Sequence, residues 1–208
     1  MQMKSIFALL LLVGVSFPIF GKDFDYHART LLLAAETVEV DAAVLAAFAY
    51  KESRFKRRAQ SETTSAGGLF QFTDRTWKAM LKGHGRKHGI PLNASKYNAR
   101  YNALMAAELL AYNQTYLKGI LGRDPTPGEL YLAHLLGEGG VKKLLLAKSN
   151  RKASAVLPRA AQNNRSVFYT DKGKARTVSQ VRSYVNWKFG LSVKTFEAEY
   201  FRYFMENG

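Results

Sequence analysis

A chain of 208 residues is long enough for one good hydrophobic core and short for two. Hydrophobic residues make up 47%, which excludes a disordered chain, and the absence of cysteine excludes disulfides, thiolate metal sites and a thiol nucleophile. A formal net charge of +15 favours polyanionic surroundings, whether nucleic acid, anionic lipid or the carboxylates of a bacterial wall, and says nothing of chemistry.

Residues 1–21 read as a secretory signal. Lys4 supplies the positive start, Ile6 to Phe20 the apolar core, and Gly21 a small residue at the expected cut. The apolar run is short for a membrane span, but Ile19-Phe20-Gly21 is an imperfect cleavage site, so an uncleaved anchor stays open. Removing residues 1–21 takes away one charge, Lys4, and leaves +14 on residues 22–208, which read as a single domain.

Residues 25–38 carry Leu31, Leu32, Ala35 and Val38 at helical spacing. Asp41 can cap the next helix, Ala42 to about Ser53, by accepting from a free backbone N–H. Residues 54–66 are basic, then rich in Ser and Thr, and predict a loop with room for a short hairpin. Thr73 can cap a helix carrying Trp77 and Met80. Residues 83–93, with three glycines and a proline, read as a loop. Asn98 to about Ile120 predicts the longest helix, crossing the core. Thr126-Pro127-Gly128-Glu129 combines a Thr cap, a proline at the first helical position and a glutamate three residues after the cap. That helix is expected to end at Gly137, with another over Val141–Ala147. Residues 148–165 read as irregular, interrupted at Pro158. Thr177 to Phe189 and Ser192 to Met205 predict two last helices. The fold class is mainly α, with at most a small β-hairpin region.

Of the 16 acids, most have an ordinary place: Asp41 and Glu129 as caps, and Glu36, Glu39, Glu197 and Glu199 on polar faces. Glu52 differs. It ends a helix of Ala, Val, Leu and Phe, where burial would raise a carboxyl pKa and keep a proton available near neutral pH. A surface glutamate paired with Lys51 or Arg54 is the plain alternative. Ser53 follows it, and the loop ahead closes on Gly67-Gly68-Leu69-Phe70-Gln71-Phe72. Gln71 offers a donor and an acceptor, for an acetamido group or for Glu52 itself.

The Glu52-Ser53 pair, the Gly-Leu-Phe-Gln-Phe run and Glu129-Leu-Tyr-Leu-Ala-His-Leu-Leu-Gly137, in this order, resemble the lytic transglycosylases and goose-type lysozymes, most closely the phage-endolysin-like branch. The likeness covers roughly residues 40–185. It implies a lysozyme-like domain that cleaves peptidoglycan between MurNAc and GlcNAc without a cofactor, with Glu52 as acid and then base and a 1,6-anhydro product. By that resemblance Ser53, Gln71, Tyr131 and His134 contact substrate, and Tyr169 is the late aromatic of the cleft in preference to Tyr184, which has the spacing of a core residue. Where many members have Ala-Tyr-Asn-x-Gly, this chain has Ala133-His134-Leu135-Leu136-Gly137, so the sugar contacts there differ. Glycosidases commonly use two carboxylates. Glu62, Asp74 and Glu138 are the candidates for a second, and none sits in a motif with Glu52.

The resemblance implies glycan strands as partner, with electrostatic contact to anionic envelope polymers, no nucleic acid, no metal, a monomer, and a periplasmic or extracellular location. A hydrolytic muramidase on the same fold, a non-catalytic cationic wall-binding module and a membrane-damaging bactericidal protein are the competing expectations.

Overall fold

The structure, a computed structural model, describes residues 21–207. The proposed signal therefore lies outside the described residues apart from Gly21. Among the described residues nine α-helices run in chain order: α1 Gly21–Val38, α2 Ala42–Ser53, α3 Asp74–His84, α4 Ala99–Leu121, α5 Pro127–Leu145, α6 Ala153–Val156, α7 Pro158–Asn163, α8 Arg165–Phe168 and α9 Val178–Asn207. A 3₁₀ turn, Gly85–His88, follows α3 inside the stretch predicted as loop. Isolated bridges such as Gln60–Gly67 and Gly67–Phe72 are the β structure of the described residues, in line with the small hairpin expected.

The core is built around α2. Seven of its residues from Ala43 to Ala49 are buried in succession, so this helix is enclosed on nearly all sides. The Asp41 side chain caps it, accepting from the Val44 backbone N–H at 2.8 Å. α9 packs along both α2 and α5, while α4 packs against α1 and α5. The most extensive of these contacts, α5 on α9, is tight at Gly128. A Cβ there would stand 2.6 Å from the Cα of Asn186, so the two helix backbones touch where no side chain fits.

Three sequence expectations change. The two last helices are one, 30 residues long and longer than α4 with 23. Val181, Val185, Phe189, Val193, Phe196 and Tyr200 form one unbroken buried stripe past Gly190, and a helix with a continuous apolar stripe tolerates a single glycine. Residues 148–165 are not irregular but hold α6 and α7 and run into α8; Pro158 opens α7, where its missing N–H costs nothing. At Gly137 the break is as expected, with φ 66° and ψ 171° between two helical halves of α5.

Two buried acids stitch elements together. Glu129 closes the capping box with Thr126 and takes bonds from Arg123 at 2.8 and 2.9 Å and from Arg182 of α9 at 3.0 Å. Burial alone would raise its pKa, but the two guanidiniums and the Thr126 N–H outweigh it and hold the carboxyl down at about 2. Glu108 of α4 is gripped by His84 at 3.0 Å, Lys87 at 2.8 Å and His88 at 2.6 Å, which ties α3 and the 3₁₀ turn to α4.

Candidate active site

Glu52 sits on the last turn of α2, and the chain leaves that helix abruptly. Arg54 and Phe55 both adopt left-handed backbone, with φ 51° and 62°. Such angles cost roughly 1–2 kcal/mol per non-glycine residue. Full burial of a phenylalanine recovers about 1.5–3 kcal/mol. Phe55 is 3% exposed and packs against Phe24, Tyr50 and Phe196 with ring centroids 5.5–5.7 Å apart. The turn swings residues 56–66 away and leaves the Glu52 carboxylate at the helix end.

The loop returns at Gly67–Phe72 and is fixed from α4. Asn102, fully buried, accepts from the Phe70 N–H at 2.9 Å and donates to the Lys96 carbonyl at 2.7 Å. Gly68 lies against that amide with φ 84°; an added Cβ would stand 2.7 Å from Asn102 Nδ2. Gln71, at φ 48°, donates from its amide nitrogen to the carbonyls of Gly68 at 2.8 Å and Ala59 at 3.1 Å. Its nitrogen therefore holds the loop together rather than reaching Glu52.

A cavity of about 250 Å³ opens between these elements. Phe48 of α2, Phe70 and Gln71 of the loop, Thr76 of α3, Asn113 of α4 and His134 of α5 are among its walls. A second hollow of about 80 Å³ is lined by Lys51, Tyr131, Ser166, Tyr184 and Lys188 with their neighbours. His134, a wall of the first cavity, pairs with Glu52, which follows Lys51, a wall of the second. His134 Nε2 and Glu52 Oε1 are 3.1 Å apart, with side chains 31% and 21% exposed. Glu52 is thus partly open rather than enclosed, and its hydrogen-bond partner is an imidazole. Phe48 packs on both His134 and Tyr131, at 5.3 and 6.2 Å between ring centroids. Burial raises the Tyr131 phenol above its usual pKa, and Glu52 and Tyr184 add to the shift.

The remaining sequence candidates fall as follows. Ser53 is buried, its hydroxyl donating to the Ala49 carbonyl at 3.1 Å, the ordinary bond of a serine in a helix. Tyr169 lines neither hollow: its ring stacks under Arg165 at 4.8 Å and its backbone pairs with Ala175. Tyr184, read as core in the sequence, instead lines the second hollow with Arg176 over its ring at 3.9 Å. Asp74 is bound by Lys96 at 2.5 Å, and that bond lowers its pKa. Glu138 accepts from the Tyr112 hydroxyl at 2.8 Å, and Glu62 is exposed on the loop. Sequence reading passed over Asn102, whose signal is an amide set in the apolar face of a helix, and Lys51 and Lys188, which look like surface charge until the fold joins α2 to α9.

The family model of the transglycosylase SLT domain matches residues 30–157, from α1 through α6. The chain belongs to that family. The SLT match takes in Glu52, Gln71, Tyr131 and His134 and stops before α7, α8 and α9. Among solved structures the SLT chain is similar to an inactive glutamate-to-glutamine mutant of the lytic transglycosylase Slt from Pseudomonas aeruginosa, with a TM-score of 0.51 and 20% identity. The alignment covers 84% of this chain and 25% of that one, so this chain spans about a quarter of that protein's length. That likeness shows the same mainly α, lysozyme-like fold.

Proposed function

We propose that the protein is a peptidoglycan lytic transglycosylase that cleaves the MurNAc–(1,4)-GlcNAc bond with Glu52 as its one acid and base. The observation that carries this reading is the place of Glu52, at the end of the buried helix and beside the cavity, held by His134. Glu62, Asp74 and Glu138 line neither hollow, and Glu52 reaches the first through His134, one of its walls. The protonated carboxyl gives its proton to the glycosidic oxygen as the C1–O bond breaks. The resulting carboxylate takes the proton of the muramyl 6-hydroxyl, whose oxygen closes on C1 as the 1,6-anhydro ring. One group serving in turn as acid and base needs no second carboxylate. The Slt mutant of the same fold, inactive with a glutamate changed to glutamine, supports an essential carboxylate.

Glu52→Gln keeps size and polarity and removes the transferable proton. General acid–base catalysis contributes typically 10²–10⁴-fold, and the loss here is expected near the top of that range. The measurement is release of muropeptides from purified sacculi, with melting temperature as the folding control. A normally folded Glu52→Gln that clears sacculi at the parent rate would overturn the assignment. Mass analysis of the products separates the second reading, a hydrolytic muramidase, whose product is heavier by one water. The imidazole on Glu52 is what favours that reading, since it is a base able to hold a water beside the carboxyl.

The same proposal has the chain exported, with residues 1–21 removed. Among the described residues Phe24 is the first that is fully buried. N-terminal sequencing of exported material is expected to begin near Lys22, and a mature chain retaining Met1 would speak for an anchor.

A further inference from the structure

We propose that the smaller hollow is a carboxylate-binding subsite that takes the acidic side group of the muramic acid next to the cleaved bond. This rests on the wall-cleaving reading above and adds to it a part of the substrate that the acid–base step does not need.

Four elements build the hollow. α2 brings Lys51, α5 Tyr131, α8 Ser166, and α9 Tyr184 and Lys188. Lys51 Nζ lies 5.6 Å from the Tyr131 ring centroid. Lys188 Nζ donates to the Tyr184 hydroxyl at 3.0 Å. The Arg176 guanidinium covers the other tyrosine ring. Neither lysine makes an ion pair with an acid among the described residues, although other lysines such as Lys87, Lys96 and Lys118 do. Tyr131 stays protonated at neutral pH, because its pKa is raised, and so remains a donor. The nearest acid in sequence, Glu52, is engaged by His134. The walls of the hollow thus present ammonium and hydroxyl donors and no carboxylate of their own, Glu52 acting on Tyr131 from outside them, which is the chemistry of a carboxylate receptor. Its volume of about 80 Å³ is a third of the neighbouring cavity's and suits the end of an acidic group rather than a sugar ring. Seven of its nine lining residues come from α8 and α9, which lie beyond the residues matched by the family. Tyr131 and His134 are one turn apart on α5, so a group in the hollow lies next to the bond that Glu52 would protonate.

Two sources carry this carboxylate: the lactyl group of peptide-free muramic acid, and the peptide attached to it. The experiment measures binding at fixed ionic strength to Glu52→Gln protein, so that no probe is cleaved. The probes are chitotetraose, a peptide-free muramyl tetrasaccharide and the same tetrasaccharide bearing its peptides. The expected result is a preference for at least one acidic probe over chitotetraose. Adding Lys51→Gln and Lys188→Gln together weakens that probe about tenfold, the size of one lost charge-assisted bond, and erases the preference. Lys142→Gln, an exposed lysine outside the hollow, controls for net charge and keeps the preference. Loss on the peptide-bearing probe assigns the peptide; loss on the peptide-free probe assigns the lactyl group. An equal loss on chitotetraose, or no loss on any probe, overturns the subsite alone. A parent protein that binds none of the three overturns the wall reading and the subsite with it.

Discussion

At the scale of single residues the site is a carboxyl and an imidazole sharing one hydrogen bond. Either a protonated Glu52 donates to neutral His134 or a protonated His134 donates to the carboxylate, two forms that share the same single proton. His134→Phe preserves the packing on Phe48 and deletes the bond. A hydrogen bond to a charged group is worth about 1.5–3 kcal/mol, so kcat is predicted to fall about 10- to 100-fold with KM little changed. His134→Gln, which keeps a polar partner, should recover part of kcat. An unchanged kcat in His134→Phe would show that the ring only packs. Glu52 was legible in the sequence because an acid at the end of an all-apolar helix is rare. His134 was legible as a departure from the family pattern, but not its partner, because residues 82 positions apart meet only once α2 and α5 are packed. Gln71 was legible as important and misread in detail, since its left-handed backbone turns the amide back onto its own loop.

At the scale of elements, the capping box that announced α5 is also the lock between α5 and α9. Its carboxyl titrates at about 2 in the fold against 4.5 in an unstructured chain. A lowered folded pKa contributes stability that is complete above pH 4.5 and is lost as the pH falls toward 2. The shift corresponds to about 3 kcal/mol, of which about 2 kcal/mol is gone by pH 3. Urea unfolding at pH 6 and pH 3 tests this. Glu129→Gln should be less stable at pH 6 and lose less between the two pH values than the parent does. Equal losses in both proteins would move the acid sensitivity elsewhere, Glu108 being next, since Lys87 and His88 lower its pKa too. The starts of α2, α3, α4 and α5 were readable, because Asp41, Thr73, Asn98 and Thr126 are side-chain caps with local chemistry, whereas α6, α7 and α8 begin without a side-chain cap. Continuity was harder. Gly190 looked like an ending, and only the stripe of buried residues on both sides shows that tertiary packing carries the helix through it.

At the scale of the whole molecule, net charge sets how the protein would meet the polyanionic wall proposed as its substrate. Screening shortens the reach of charge from about 10 Å at 0.1 M salt to about 3 Å at 1 M. Retention on purified sacculi by Glu52→Gln protein is predicted to fall steeply over that range, and salt-independent retention would rule out attraction by the overall field. The ends of the chain matter here as well. Arg202 near the end of α9 reaches Asp25 in the second turn of α1 at 2.5 Å, and Tyr200 stands edge-on to Phe24 at 5.0 Å. The start of α1 is thereby fastened to one end of α9, while Tyr184 and Lys188 lie toward the other. At 1.5 Å per residue, about 27 Å of unbroken helix separates Tyr184 from Arg202. α9 therefore works as a spacer of fixed length: whatever holds the start of α1 in place also sets how far away, and in which direction, the smaller hollow stands.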